Sequence, residues 1–109
     1  SALNYHHLRY FRVIAHERSL TRAAEQLHVS SSALSIQLRQ LEARLGQPLF
    51  ERKSRRIELT EAGRITLEYA DSIFKSGEEL VSTLKGGVRK GRPAVRASRV
   101  RRAMAVPEA

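Results

Sequence analysis

The stretch Leu20-Thr-Arg-Ala-Ala-Glu-Gln-Leu-His-Val-Ser-Ser-Ser-Ala-Leu-Ser-Ile-Gln-Leu-Arg39 decides how this 109-residue chain is read. It divides into a short amphipathic helix, a tight turn at His28–Val29 and a second helix opened by a serine run. Leu20, Ala23, Ala24 and Leu27 share one face of the first helix, and the small alanines let another helix approach closely. Two helices joined by so short a turn cannot lie side by side along their length. They cross steeply and leave the outer face of the second exposed, the helix-turn-helix arrangement whose second helix can enter a DNA major groove.

Upstream, Asn4 is an N-cap for a helix from Tyr5 to about His16, with Leu8, Phe11, Val13, Ile14 and Ala15 on its apolar side. Ser19 caps the helix Leu20–Leu27, and Ser30 caps a third helix running to about Leu45. On that helix Leu34, Leu38, Leu41 and Leu45 recur at helical spacing and predict a ridge facing the core. Gly46 stops the helix and Pro48 prevents its resumption. Two extended runs follow, Leu49–Lys53 and Ile57–Leu59, joined by a turn at Ser54–Arg56. A two-stranded hairpin is marginal alone in water, so Leu49, Phe50, Ile57 and Leu59 are expected to lean on the helices as a wing.

Thr60 caps a fourth helix, from Glu61 to about Lys85, with acids in its first turn to suit the helix dipole. Leu67, Ala70, Phe74, Gly77, Val81 and Leu84 form a seam of the coiled-coil type along it, and Ile65, Tyr69, Ile73 and Leu80 form a second stripe. So small a body cannot bury both, so dimerisation through the first seam is expected; folding back on the same chain is the alternative. Gly86-Gly87 ends the helix. The organisation predicted is a winged helix-turn-helix domain over 3–60 (core 20–39), a linker and dimerisation helix over 61–85, and a basic, disordered tail over 86–109. The fold class is mainly α.

The net charge of +9 points to a polyanionic partner, but residues 86–109 hold seven bases and one acid, so most of it lies in the tail. Within the body, Arg52, Lys53, Arg55 and Arg56 fall in five residues at the hairpin tip. The absence of cysteine excludes disulfides, thiolate zinc sites and a cysteine nucleophile. His6, His7, His16 and His28 lack metal-site spacing, no carboxylate is placed to build a catalytic dyad, and there is no glycine-rich phosphate loop. No enzyme activity, metal or cofactor is therefore expected. The chain has neither a signal peptide nor an apolar run of about 18–20 residues, so a cytoplasmic protein without membrane contact is expected.

Five segments carry a resemblance: Asn4-Tyr-His-His-Leu-Arg-Tyr-Phe11, Ser19-Leu-Thr-Arg-Ala-Ala-Glu-Gln-Leu-His-Val-Ser30, Leu41-Glu-Ala-Arg-Leu-Gly46, Leu49-Phe-Glu-Arg52 and Leu59-Thr-Glu-Ala-Gly63. In order and spacing the chain resembles the LysR-type transcriptional regulators from about Leu3 to Leu84. Asn4-Tyr-His-His and Tyr69-Ala-Asp-Ser-Ile-Phe74 are similar to the branch that activates the sodium/proton antiporter gene. The resemblance implies a winged helix-turn-helix that dimerises through the linker helix, commonly builds tetramers, and precedes a C-terminal domain sensing a small metabolite. That effector domain is expected to be absent from this chain, because Val95-Arg-Ala-Ser-Arg-Val-Arg-Arg102 stands where the family enters an apolar strand. A premature end or frame change near Pro93–Val95 and a deliberate truncation are the alternatives.

With the leucine ridge turned inward, Ser32, Ser35, Ile36, Arg39 and Ala43 lie on the outer face of the third helix, with Ser30 and Ser31 at its N-terminus. Serine hydroxyls suit phosphates and base edges, and the helix N-terminus presents N–H groups to an anion. Ser30 is also read as the cap. Many family members carry arginine at the position of Ile36 and Gln-Pro at Ser31-Ser32. Ile36 either meets a thymine methyl or is tolerated surface. Arg39 contacts phosphate or base, or is a solvated charge. Arg52, Lys53, Arg55 and Arg56 suit the backbone and a flanking minor groove, with pairing to Glu51 or Glu61 as the alternative for Arg52. The function expected is a sequence-specific regulator of transcription, binding double-stranded DNA as a homodimer. Its competitors are a truncated dimerisation module that forms mixed dimers with full-length regulators, and non-specific binding through the basic tail.

Overall fold

The computed structural model describes residues 3–86, so the expectations for the tail beyond Gly86 lie outside the described residues. The elements run α1 (Tyr5–Glu17), α2 (Leu20–Leu27), α3 (Ser31–Leu45), β1 (Phe50–Lys53), β2 (Arg56–Leu59) and α4 (Glu61–Gly86). Side chains set most of these boundaries. Asn4 Oδ1 accepts from the N–H groups of His6 and His7 at 2.9 and 3.1 Å, Ser19 Oγ from Arg22 at 3.1 Å, and Ser30 Oγ from Ala33 at 3.0 Å. Each such cap stabilises its helix by about 1 kcal/mol relative to alanine. The first three helices end on left-handed residues: Arg18 (φ 57°), His28 (φ 60°) and Gly46 (φ 76°).

Residues 3–74 form one compact unit. Leu8, Phe11, Leu41, Leu49, Ala70 and Phe74 make one buried cluster, and Ile14, Ala23, Ala24 and Leu34 a second. Leu38 and Phe50 pack against both. Leu34 and Leu41 are wholly buried, as the ridge on α3 requires, but Leu45 is 40% exposed. It occupies the last turn of α3 and lines an open cleft with Leu49, Ala62 and Ile65.

The wing pairs antiparallel, Phe50 with Leu59, Glu51 with Glu58, Arg52 with Ile57 and Lys53 with Arg56. The turn is therefore the two residues Ser54-Arg55, and Arg56 belongs to β2 rather than to the turn. Ser54 and Arg55 both have positive φ, 48° and 67°, the backbone that matches the twist of a two-residue hairpin. Thr60 ties wing to helix: its Oγ1 accepts from the Gly63 N–H at 2.9 Å and donates to the Pro48 carbonyl at 2.7 Å. Gly63 passes so close to Leu49 that a Cβ there would overlap the Leu49 carbonyl oxygen.

Ala70 (0% exposed) and Phe74 (9%) were assigned to the dimer seam but lie in the chain's own core with Leu8 and Phe11 of α1. Tyr5 stacks on Phe74 with ring centroids 4.5 Å apart, and Leu67 packs partly buried against the same cluster. The first half of α4 thus packs with the winged elements in the first compact unit, which ends at Phe74. The second unit's described residues, 75–86, continue α4 and expose Leu80, Val81 and Leu84. No helix among the described residues is long and apolar enough to cross a membrane.

Candidate nucleic-acid interface

With 3.6 residues per turn, Ile36 lies about 200° around α3 from Leu34. Ser32, Ile36 and Ala43 are therefore opposite the buried Leu34–Leu41 ridge, and all three are exposed. Arg39 and Gln40 flank them, also exposed, while Ser35 is half-buried on the Arg39 side. Gln40 is not among the expected contact residues, but it is four residues beyond Ile36, the spacing that puts two side chains on one face.

The N-terminus of α3 is open. Its first backbone hydrogen bond runs from the Leu34 N–H to the Ser30 carbonyl at 3.0 Å, and Ser30 Oγ satisfies the Ala33 N–H. The N–H groups of Ser31 and Ser32 precede these bonds and have no acceptor within the helix. Ser30 thus serves as the cap, with its hydroxyl 3.4 Å from that of Ser32.

Pleating divides the wing's cations. Phe50, Arg52, Ile57 and Leu59 share one face, and Lys53 and Arg56 the other, with Arg55 in the turn itself. Arg52 and Arg39 both line a cleft of about 290 Å3 between α3 and the wing, floored by Ile14, Leu38, Phe50 and Ile57. Arg39, Arg52, Arg55 and Arg56 make no ion pair among the described residues. Neither alternative partner of Arg52 is engaged with it. Glu61 pairs with Arg64 at 2.7 Å, and Glu51 is 3.9 Å from Lys53 Nζ. Those four guanidinium groups keep their charge available to an outside anion.

Remote pairings hold the frame. Asp71 Oδ1 accepts from Arg12 Nε at 2.7 Å and lies 3.0 Å from His16 Nε2, joining α4 to α1. Burial pushes the Asp71 carboxyl up, but hydrogen bonds and charge from His16 and Arg12 together outweigh it and leave its pKa lowered. The Arg12 guanidinium also lies 5.5 Å from the Phe74 ring centroid. Glu42 accepts from the Leu49 N–H at 2.7 Å and so fixes the chain as it leaves α3 for the wing. Among the described residues no group of histidine, cysteine or carboxylate side chains is disposed to hold a metal ion.

Three helices with the third bared along one side, backed by a basic hairpin, define a winged helix-turn-helix protein. Residues 5–64 match the family described as bacterial regulatory helix-turn-helix protein, lysR family, and the chain belongs to that family. It is 48% identical over 82 residues to the RuBisCO operon transcriptional regulator of Allochromatium vinosum, an alignment covering 72% of this chain and 27% of that protein. It is 40% identical over 81 residues to the transcriptional activator protein NhaR of Escherichia coli (strain K12), covering 74% and 27%. The chain thus spans about a quarter of the length of these relatives. Among solved structures, it matches the BenM DBD/catB site 1 DNA complex with TM-score 0.73 and 35% identity, covering 82% of this chain and 99% of that one. The CbnR DBD–DNA complex matches with TM-score 0.69 and 35% identity, covering 78% and 98%.

Proposed function

We propose that this chain is the DNA-reading part of a transcriptional regulator, binding a specific double-stranded site as a two-fold dimer. Family membership and the DNA complexes among its structural neighbours support this reading. The observation that carries it is the division of α3 into a side sealed by Leu34 and Leu41 and an exposed side bearing Ser31, Ser32, Ile36 and Arg39. In the major groove that side meets base edges, with Ser35 and Arg39 toward the wing. The open helix N-terminus at Ser30 and Ser31 faces a phosphate. Arg52, on the inner face of the wing, grips the backbone beside α3, and Lys53, Arg55 and Arg56 follow it into the flanking minor groove. Neither catalysis nor a cofactor enters this scheme, and a gene regulator of a bacterium works in the cytoplasm.

The dimer seam is assigned to Gly77, Val81 and Leu84, with Leu80 beside them, since Ala70 and Phe74 are occupied within the chain. Leu80, Val81 and Leu84 are 60%, 51% and 60% exposed, an apolar run that a second copy of the helix would cover. Selection of bound duplexes from a random pool at physiological salt tests the reading. It should return a near-palindrome whose half-sites are about 34–36 Å apart, one helical turn. A protected footprint of one unpaired half-site at saturation would contradict the dimer, and an unselected pool would contradict specific recognition.

A further inference from the structure

We infer that Ile36 is a specificity-determining residue that reads the 5-methyl group of a thymine, so that each half-site favours a T·A pair where α3 crosses its centre. The inference rests on the DNA-binding reading above and adds the base. Ile36 lies opposite the buried ridge of α3, in the middle of the exposed side, and is 48% exposed. It is the one large apolar side chain on that side: Ser32 precedes it by one turn, Gln40 follows by one turn, and Arg39 and Ala43 complete the surface. Those neighbours have their own uses there. Ser32 shares a hydroxyl contact with the capping Ser30, and Arg39 lines the cleft toward Arg52. Ile36 makes no part of either buried cluster, so packing among the described residues does not account for it.

An isoleucine can neither donate nor accept a hydrogen bond. Among the groups displayed on base-pair edges in the major groove, the thymine C5-methyl is the apolar feature; the others are donors and acceptors that lose water without replacement against a hydrocarbon. A branched side chain in the middle of the contacting face therefore disfavours guanine and cytosine edges and favours thymine. Its χ1 is restricted in a helix, so little side-chain freedom is lost when the methyl is covered.

The test uses the full chain and the duplex it selects from a random pool, remade with deoxyuridine in place of each thymine in turn. Uracil keeps every hydrogen-bonding group of thymine and lacks only the methyl. Loss of one buried methyl should weaken binding about threefold to fourfold per half-site, at one thymine position and its symmetry mate. Ile36→Ala should bind thymine and uracil duplexes alike at that position, and Ile36→Val should retain most of the discrimination. Equal binding of all uracil duplexes by the unsubstituted chain would overturn the inference, as would discrimination undiminished in Ile36→Ala. In either case DNA is still bound, which separates this failure from that of the broader reading. If no duplex is selected, both fall.

Discussion

On α3 the apolar repeat faces the chain's own core along most of its length, while on α4 a repeat of the same kind changes its surroundings halfway. Leu34 and Leu41 are fully buried in the chain's own core, and the side opposite them carries serines, Ile36 and Arg39. On α4 the repeat begins in that core, at Ala70 and Phe74, and ends in exposed Val81 and Leu84. Helical spacing thus declares that a face is apolar without saying what covers it. The cover depends on how far the other elements reach. Within the first unit α1 packs on Phe74, and among the described residues beyond it Leu80, Val81 and Leu84 are exposed.

The sharpest test of this contrast compares positions on the two halves of α4. Phe74→Ala should destabilise the fold by about 3–5 kcal/mol, as expected of a large aromatic deleted from a core. Leu84→Ala should change the unfolding free energy by less than about 0.5 kcal/mol when measured where the chain is monomeric. It should nevertheless weaken self-association in sedimentation equilibrium. Equal destabilisation by both substitutions would mean that the second half is not a free surface. On the wing, replacing Arg55 and Arg56 by alanine should weaken binding to every duplex. The slope of log affinity against log salt should flatten by up to about two units per protomer. An unchanged slope would remove these residues from the phosphate contacts.

The smallest effect concerns the attachment of α4 to α1. Because the native Asp71 pKa is lowered, its ion pair with Arg12 and its contact with His16 stabilise the fold above the unperturbed aspartate value of about 3.9. That contribution is lost as pH falls through the depressed native value. The pair is partly exposed, so less than about 1 kcal/mol is at stake. Thermal melts of the parent and Asp71→Asn should differ most at neutral pH and converge in acid. A gap that widens on acidification would reverse the assigned sign.

Much of the frame was legible because its signals are local. Asn4, Ser19, Ser30 and Thr60 cap the helices they were expected to cap, each through a hydroxyl or amide oxygen within three residues of its partner. The buried alanines of α2 and the leucines of α3 follow from periodicity alone. The wing's turn was harder to place: a two-residue turn of this kind ordinarily carries Asn-Gly, and Ser54-Arg55 adopts it without either. The ion cluster at Asp71 had no local signal, since its partners Arg12 and His16 are more than fifty residues away in sequence. Leu45 shows the limit of a pattern argument at a helix end, where the spacing continues but the burial does not. The outward side of α3 was inferred by elimination, as whatever the leucine ridge left uncovered, and Gln40 on it is not among the expected contact residues.

Ser32→Glu probes that outward side directly. A glutamate in the first turn suits the helix dipole, so α3 and the core beneath it should keep their stability. Its carboxylate would stand where the exposed side is held to meet DNA. Thermal melts unchanged from the parent, together with loss of retardation of the selected duplex at physiological salt, are the predicted result. Unchanged melts with undiminished retardation would show that nucleic acid is bound elsewhere.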